Sequence, residues 1–187
     1  IKTVEQAQTL FQMRCDPQTL ARLAAIHNPD ALIKIANSIS MMDPDAVFVN
    51  TGSAEDLQWV REASLEKGEE KALTLPGHTI HFDLPEEQGR VVEKTLYIIN
   101  PDEDVSVLAK SIIRDEALDY VKKYMVGIAK GKTLLIGFFN RGPIGAQAAI
   151  PAIEITTSTY VMHSANILYR SVYHQFDQEA ARAGEFL

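Results

Sequence analysis

The sequence contains little cysteine, no excess of positive charge and no long apolar run. Its 187 residues include one cysteine, Cys15, which excludes a disulfide within the chain and is usual in a reducing compartment. The net charge of −7 argues against a broad nucleic-acid-binding surface, because neutralising phosphates requires clustered lysine and arginine. No stretch approaches the roughly 20 apolar residues of a membrane-spanning helix, and no signal peptide is evident. We therefore expect a cytoplasmic protein that binds neither nucleic acid nor membranes.

The hydrophobic residues, 46% of the chain, alternate between strand and helix patterns. Short apolar runs predict strands at 46–50, 79–82, 95–99, 133–139 and 153–157. Helical spacing predicts helices at 4–26 with a break at Asp16-Pro17, at 29–41, at 53–68, from 105 onward and at 117–128. Residues 159–183 are predicted to be a helix, or a short turn that runs into one. Candidate core residues include Leu57, Trp59, Phe138 and Phe139. The alternation predicts an α/β domain of mixed α+β character, with a mixed β-sheet flanked by helices.

Residues 127–133, GIAKGKT, resemble a phosphate-binding loop but do not complete its pattern. The loop requires G-x-x-x-x-G-K-[ST] after a strand and before a helix. Here Gly127 and Gly131 are one residue too close, a helical pattern comes first and a strand pattern follows Lys132 and Thr133. We therefore predict that Gly131 ends a helix as its capping glycine and that no nucleotide binds here.

Two histidines and the cysteine are the other chemical candidates. His78 and His81 form an H-x-x-H pair, which could share a metal on a helix but points to opposite faces in a strand. The surrounding residues favour a strand and no third ligand is evident, so no metal site is predicted. His163 and His174 are assigned no role, and Cys15 is expected to be an inert, partly buried thiol.

Three segments resemble a known family in their order and spacing. Residues 43–53 read DPDAVFVNTGS, residues 90–95 read RVVEKT, and the GPIG of 142–145 is followed by STYV at 158–161. Over about residues 1–170, these segments are similar to the N-terminal domain of GTP-dependent phosphoenolpyruvate carboxykinase. Asn140-Arg141 before the GPIG loop and the divergent run at 161–166 indicate a distant, archaeal-type branch.

The resemblance implies one substrate-binding domain over residues 1–187, with the mixed sheet of the carboxykinase N-terminal domain. The intact enzyme of this family is a lyase of gluconeogenesis, which converts oxaloacetate and GTP to phosphoenolpyruvate, CO₂ and GDP. Its nucleotide and its Mn²⁺ or Mg²⁺ would be held by a C-terminal catalytic domain that this chain lacks. The chain alone is therefore expected to bind no cofactor and to have no carboxykinase activity.

The resemblance also implies two substrate-binding residues and no catalytic residue. Arg90 matches the family's arginine that holds the carboxylate of phosphoenolpyruvate or oxaloacetate, a task suited to a planar guanidinium group. Without the resemblance, Arg90 would be a surface arginine paired with a neighbouring glutamate. Arg141 lies in the glycine-proline loop, whose rigid backbone could point its guanidinium group at an anion. The alternative is a solvated loop arginine. The rival function is a stand-alone module that keeps this fold and binds a small carboxylate, or a protein partner, without catalysis.

Overall fold

A computed structural model of the protein describes residues 1–83 and 95–187. The helices in this part of the chain are α1 (Val4–Arg14), α2 (Pro17–Ala24), α3 (Pro29–Met42), α4 (Ala54–Glu66), α5 (Arg114–Met125), α6 (Thr159–Leu168) and α7 (Phe176–Ala183). The strands are β1 (Ala46–Asn50), β2 (Lys71–Ala72), β3 (Thr79–Ile80), β4 (Tyr97–Ile99), β5 (Ser111–Ile113), β6 (Thr133–Arg141), β7 (Ile150–Thr156) and β8 (Arg170–Ser171). A 3-10 helix, Tyr173–Gln175, precedes α7. None of the described helices is long and apolar enough to cross a membrane.

The main sheet has four strands and is mixed, which confirms the predicted fold class. β1 pairs with β6 in parallel, and Val47 lies opposite Leu134. β7 pairs with the other edge of β6 in the antiparallel direction, and Ile153 lies opposite Phe138. β8 pairs with β6 at residues 139–140, beyond the part of β6 that β1 contacts. Two small sheets complete the described strands, β2 with β3 antiparallel and β4 with β5 parallel.

Helices cover both faces of the main sheet, because successive side chains of a strand point to opposite faces. On one face, α1, α3 and α7 form the larger apolar cluster, in which Phe138 packs edge-on against Phe176. On the other face, Val60 of α4 and Met162 of α6 form a smaller cluster with Phe139. Phe138 and Phe139 are buried, as predicted. Coverage on both faces explains why β6 is a continuous apolar run.

Capping side chains fix the starts of several helices, among them α2, α3 and α4. Asp16, Asn28 and Ser53 each accept a backbone hydrogen bond from the first turn of α2, α3 and α4 respectively. Proline follows Asp16 and Asn28 at the first helical position, where its missing N–H costs nothing. The predicted break at Asp16-Pro17 is confirmed, since α1 ends at Arg14 and α2 begins at Pro17.

The helix predicted from residue 105 onward is wrong. Residues 111–113 form β5, which pairs in parallel with β4, and α5 begins directly afterwards at Arg114. Val107 and Leu108 are 100% and 94% exposed, so they do not form the buried face of a helix. The helical spacing was misleading because Ile112 and Ile113 are β-branched residues, which suit a strand.

The helix predicted at 159–183 is interrupted. α6 ends at Leu168, and the chain then runs along β6 as β8 before α7 begins at Phe176. β1 pairs with β6 only as far as Gly137. β8 pairs with Phe139 and Asn140 along the same edge of β6, so it gives hydrogen-bond partners to backbone groups that β1 does not reach.

Leu57 and Trp59 were predicted in the core and are instead 37% and 40% exposed. Both lie away from the buried side of α4, which is formed by Asp56, Val60 and Ser64. The Trp59 ring stacks on Phe48 with the ring centroids 4.1 Å apart, so it covers the margin of the smaller cluster.

Candidate functional site

The carboxyl ends of β1 and β6 lie at one edge of the main sheet, because the two strands are parallel. Ligands of open α/β sheets bind outside the carboxyl ends of the strands. At this edge β1 ends at Asn50, β6 ends at Arg141, and β8 places Arg170 opposite Asn140. This region, which we call the carboxyl edge, is the candidate site.

Arg141 is the last residue of β6 and is exposed, whereas the sequence placed it in the following loop. Its guanidinium carbon lies 5.7 Å from the centroid of the Tyr169 ring, which is a cation–π contact. Arg141 and Tyr169 line a cavity of about 190 Å³ together with Glu154. Burial raises the pKa of the Glu154 carboxyl, because a less polar environment disfavours its charged form. The cavity offers a small ligand a cation, a carboxyl group and an aromatic face.

A buried carboxylate holds the loop that follows β6. Glu179 of α7 accepts hydrogen bonds from Asn140 Nδ2 at 2.7 Å, from the Gly145 N–H at 3.0 Å and from Arg182 at 2.8 Å. Arg182 also donates to the carbonyl oxygen of Ala149 at 3.0 Å. Both ends of the loop at 142–149 are therefore fastened to α7, which explains how an exposed glycine-proline loop keeps one position.

A buried ion pair holds the turn between β1 and α4. Arg22 Nη2 lies 2.9 Å from Asp56 Oδ1, and Arg22 Nη1 donates to the carbonyl oxygen of Val49 at 2.6 Å. The other oxygen of Asp56 accepts the backbone N–H and the hydroxyl of Thr51 at 2.9 and 2.6 Å. Gly52, next in the turn, has φ of 77°, a conformation that favours glycine. These contacts fix the end of β1 at the carboxyl edge.

Arg90, the predicted substrate-binding arginine, lies outside the described residues. The β2–β3 hairpin that comes before it in the chain is held by polar contacts. Glu70 Oε2 lies 2.8 Å from His163 Nδ1, and Glu69 Oε2 accepts the Ser158 hydroxyl at 2.6 Å. We call Glu69, Glu70, Ser158 and His163 the hairpin anchor. Sequence reasoning missed it and assigned His163 no role, because its members are distant in the chain.

Residues 127–133 form a turn rather than a phosphate-binding loop, as predicted. The Gly127 N–H donates to the Met41 carbonyl oxygen, and the Gly131 N–H donates to Asp45 Oδ1, both at 2.9 Å. Both N–H groups therefore already donate hydrogen bonds within the protein, so they are not directed at a phosphate. The prediction that Gly131 caps a helix is wrong, because α5 already ends at Met125. Gly131 instead takes φ of 73° in the turn that leads into β6.

The described residues do not fit the metal that the resemblance implies. His81 Nδ1 lies 2.6 Å from the carbonyl oxygen of Glu69, and its ring stacks on Tyr160 with the centroids 3.6 Å apart, while His78 is exposed. Within residues 1–83 and 95–187, no three His, Cys, Asp or Glu side chains group as metal ligands.

Burial raises the pKa of Cys15 to about 11, so its thiol is protonated at neutral pH, as expected of an inert cysteine.

We expect the free energy of unfolding to fall in acid. Burial raises the pKa of Glu70, but its polar neighbours outweigh it, among them the hydrogen-bonded Thr79 and His163, and hold the pKa below its ordinary value of 4.5. The pKa of Glu179 is also lowered, chiefly by Arg182. A carboxylate with a lower pKa in the folded state stabilises the fold above the unfolded pKa, and this contribution is lost as the pH falls through the folded pKa.

Urea unfolding, followed from neutral pH down to about pH 3, measures this dependence. The free energy of unfolding should change little until the pH approaches 4.5 and should fall below it. Glu70→Gln, which has no carboxylate to protonate, should show a shallower fall than the unmodified chain. Equal slopes for the two proteins would contradict the contribution assigned to Glu70.

Comparison with known proteins agrees with the family suggested by the sequence. The family model for the phosphoenolpyruvate carboxykinase N-terminal domain matches residues 34–187. A protein of Thermococcus sibiricus named phosphoenolpyruvate carboxykinase [GTP] is 36% identical over 95% of this chain and 28% of its own length. A protein of the same name from Pyrococcus abyssi is 40% identical over 83% of this chain and 25% of its own length. One from the bacterium Corynebacterium glutamicum is 26% identical over 88% of the chain and 27% of its own length.

The higher identity to the archaeal proteins agrees with the predicted archaeal-type branch. The chain spans about a quarter of the length of these curated relatives. The match covers β1, β6 and the loop after β6, which are the elements that build the carboxyl edge. The chain therefore belongs to the phosphoenolpyruvate carboxykinase N-terminal domain family.

Proposed function

We propose that this chain is the substrate-binding N-terminal domain of a GTP-dependent phosphoenolpyruvate carboxykinase. The observation that carries the proposal is its identity of 36–40% to proteins of that name over 83–95% of the chain. The geometry supports it, because the carboxyl edge presents an exposed cation, Arg141, beside a loop that Glu179 holds in place. A negatively charged small molecule is the ligand class that such an edge suits.

The reaction of the whole enzyme requires a carboxylate to be held while carbon dioxide leaves. Loss of CO₂ from oxaloacetate breaks a carbon–carbon bond and leaves its electron pair in an enolate. The enolate oxygen then attacks the γ-phosphoryl group of GTP, and GDP departs with the electrons of the broken phosphorus–oxygen bond. Nucleotide and metal would bind to the rest of the enzyme.

Within this chain, Arg90 would hold the substrate carboxylate and Arg141 would add positive charge at the carboxyl edge. Two parallel hydrogen bonds from one guanidinium group to one carboxylate both bind it and fix its direction. Orientation matters because decarboxylation requires the breaking bond to be aligned with the forming enolate. Arg141 is exposed, so its contribution would be a weaker, solvent-screened attraction.

Titration of the 187-residue chain with phosphoenolpyruvate and with oxalate tests the proposal. Arg90→Ala should raise the Kd about tenfold to a hundredfold, the value of a charge-assisted hydrogen-bonded pair. Arg141→Ala should raise it by only about two- to fivefold, since exposed ion pairs contribute little. Arg114→Ala serves as the matched control. Arg114 is also an exposed arginine, but it lies on α5, so this variant should bind like the unmodified chain.

Unchanged affinity in Arg90→Ala would rule out the carboxylate role of that residue. The activity itself is tested separately, by assaying the protein expressed from its complete reading frame for oxaloacetate- and GTP-dependent formation of phosphoenolpyruvate. The 187-residue chain alone should show no turnover. Binding by the complete protein without any turnover would instead favour the stand-alone binding module.

A further inference from the structure

The cavity beside Arg141 lies over the ladder between β6 and β7. Gly137, Phe139 and Arg141 are alternate residues of β6, so they lie on one face of the sheet. Ala152 lies opposite Phe139 and Glu154 lies opposite Gly137, so both share that face. Phe139 belongs to the smaller apolar cluster, which α4 and α6 cover. The cavity is therefore on the α6 side of the sheet.

A cation, an apolar floor and a carboxyl group follow one another along this face. Arg141 is at one end, Phe139 and Ala152 are in the middle, and Glu154 is at the other end. Arg141 lies opposite Ile150, so four positions of β7, about 13 Å of strand, separate its level from that of Glu154. Both long side chains line the cavity, which therefore has opposite charges at its two ends.

Neither charge has a hydrogen-bonded or ion-paired partner among the described residues. Arg141 contacts the face of the Tyr169 ring but does not pair with Glu154, although the two line one cavity. Glu154 is partly buried, and burial raises the pKa of its carboxyl without a described cation to oppose the shift. A partly buried carboxylate is costly unless it is paired, so a cationic group that entered the cavity would be bound there.

The volume of the cavity restricts the ligand to a small molecule. About 190 Å³ is the share of liquid volume of about six water molecules, which corresponds to a ligand of about six non-hydrogen atoms. Tyr169 forms an aromatic wall, and Leu187 closes another side. The backbone of Leu187 bonds to β7 at Pro151 and Ile153, with N–O distances of 3.0 and 2.9 Å.

We propose that this cavity binds a small zwitterionic amino acid, with its carboxylate on Arg141, its ammonium group on Glu154 and its side chain over Phe139. The guanidinium group can donate two hydrogen bonds to the carboxylate, and the ammonium group can donate to the glutamate. The proposal goes beyond the proposed function, with which it shares only Arg141, and it does not depend on carboxykinase activity.

Other small ligands fit the two ends of the cavity less well. An inorganic anion or a monocarboxylate would pair with Arg141 and leave Glu154 without a partner. A dicarboxylate would bring its second negative charge toward Glu154, and like charges repel. A simple amine would pair with Glu154 alone. Only a ligand that carries both charges satisfies both ends.

Competition among three probes of similar size tests this, with the protein expressed from its complete reading frame. Labelled L-alanine, which has six non-hydrogen atoms, should bind saturably in equilibrium dialysis with a Kd of about 1 mM or tighter. Propionate lacks the ammonium group and ethylamine lacks the carboxylate, so each should compete at least about tenfold less well than unlabelled L-alanine. L-Tryptophan carries both charges but is too large for the cavity, so it should not compete.

Variants at the two ends assign the site. Glu154→Gln and Arg141→Met should each raise the Kd for L-alanine about tenfold to a hundredfold, the value of a charge-assisted hydrogen bond. Glu185→Gln and Arg114→Met are the matched controls, since they change exposed residues outside the cavity, and they should leave the Kd unchanged.

Ala152→Leu tests the cavity without removing either charge. The larger side chain would occupy the floor between Arg141 and Glu154, so it should also raise the Kd at least about tenfold. This variant serves as well if a change at either charged residue prevents folding, which the unfolding transition in urea would show.

Three results would overturn the proposal. The first is no saturable binding of L-alanine up to about 20 mM. The second is binding that neither Glu154→Gln nor Ala152→Leu weakens, which would place the ligand elsewhere. The third is propionate competing as well as L-alanine, which would show a site for anions alone. Carboxykinase turnover is measured separately, so its absence would defeat the proposed function and leave the alanine result standing.

Discussion

Replacing Glu179 with alanine is expected to lower the free energy of unfolding by about 3–5 kcal/mol, the cost of removing one partner from a buried charged network. Glu179 is 5% exposed and is the common acceptor for Asn140, Gly145 and Arg182. Its loss would leave the buried amide of Asn140 without an acceptor and would remove the carboxylate that pairs with Arg182, whose guanidinium group keeps only its bonds to loop carbonyl oxygens. The unsatisfied Asn140 amide would be costly because it is shielded from water.

Urea unfolding at neutral pH measures this loss. Glu185→Ala is the matched control, since Glu185 is an exposed glutamate shortly after α7 and should change the free energy of unfolding by less than about 0.5 kcal/mol. Faster amide exchange should accompany the Glu179 change at Gly145, whose N–H donates to the carboxylate. A decrease below about 1 kcal/mol would show that the network is not buried in solution as described.

Asp56→Ala is expected to have a similar effect, about 3–5 kcal/mol of lost stability. Asp56 is 4% exposed, and its removal would strand the charge of Arg22, whose side chain is 18% exposed. The N–H and hydroxyl of Thr51 would lose their acceptor as well. The turn after β1 would loosen, so the carboxyl edge should lose order in addition to stability.

Glu55→Ala, one residue earlier on α4, separates this effect from a general loss of negative charge. Glu55 is exposed and lies in the first turn of the helix, so its removal should cost only about 0.3–1 kcal/mol. Adding Arg22→Met to Asp56→Ala should recover part of the stability, because it removes the stranded charge. If the double variant were as unstable as the sum of the two single changes, the ion pair would not be the source of the loss.

Sequence reasoning was most successful where the signal was local. β1 and β6 were recognised from their short apolar runs, and the break at Asp16-Pro17 because the residue before a proline avoids helical geometry. The family was recognised from motifs at 43–53, at 90–95 and at 142–145 with 158–161. The first includes β1, the second lies largely outside the described residues, and the third includes the loop after β6 and the start of α6.

The polar networks were not predicted because their members are far apart in sequence. Asn140 and Glu179 are separated by 39 positions, and Glu70 and His163 by 93. For Glu179 one local signal existed, since it lies between Phe176 and Ala180 on the buried side of α7. A charged residue on an apolar helical stripe indicates a buried partner, although it does not say which residue that partner is. The interruption between α6 and α7 was not predicted either. It is caused by the pairing of β8 with the end of β6, and sequence patterns do not show which strand edges have a partner.

The close approach of Gly52 to Ser171 carries a consequence for how this family can diverge. A methyl group at position 52 would lie 2.2 Å from Ser171 Oγ, and the φ of 77° disfavours any larger residue there. Position 52 is therefore restricted to glycine, both by its own backbone conformation and by a side chain that lies 119 positions later. A glycine that is invariant at position 52 would accordingly be a record of backbone crowding at the end of β1, and it should not be read as a sign of catalysis.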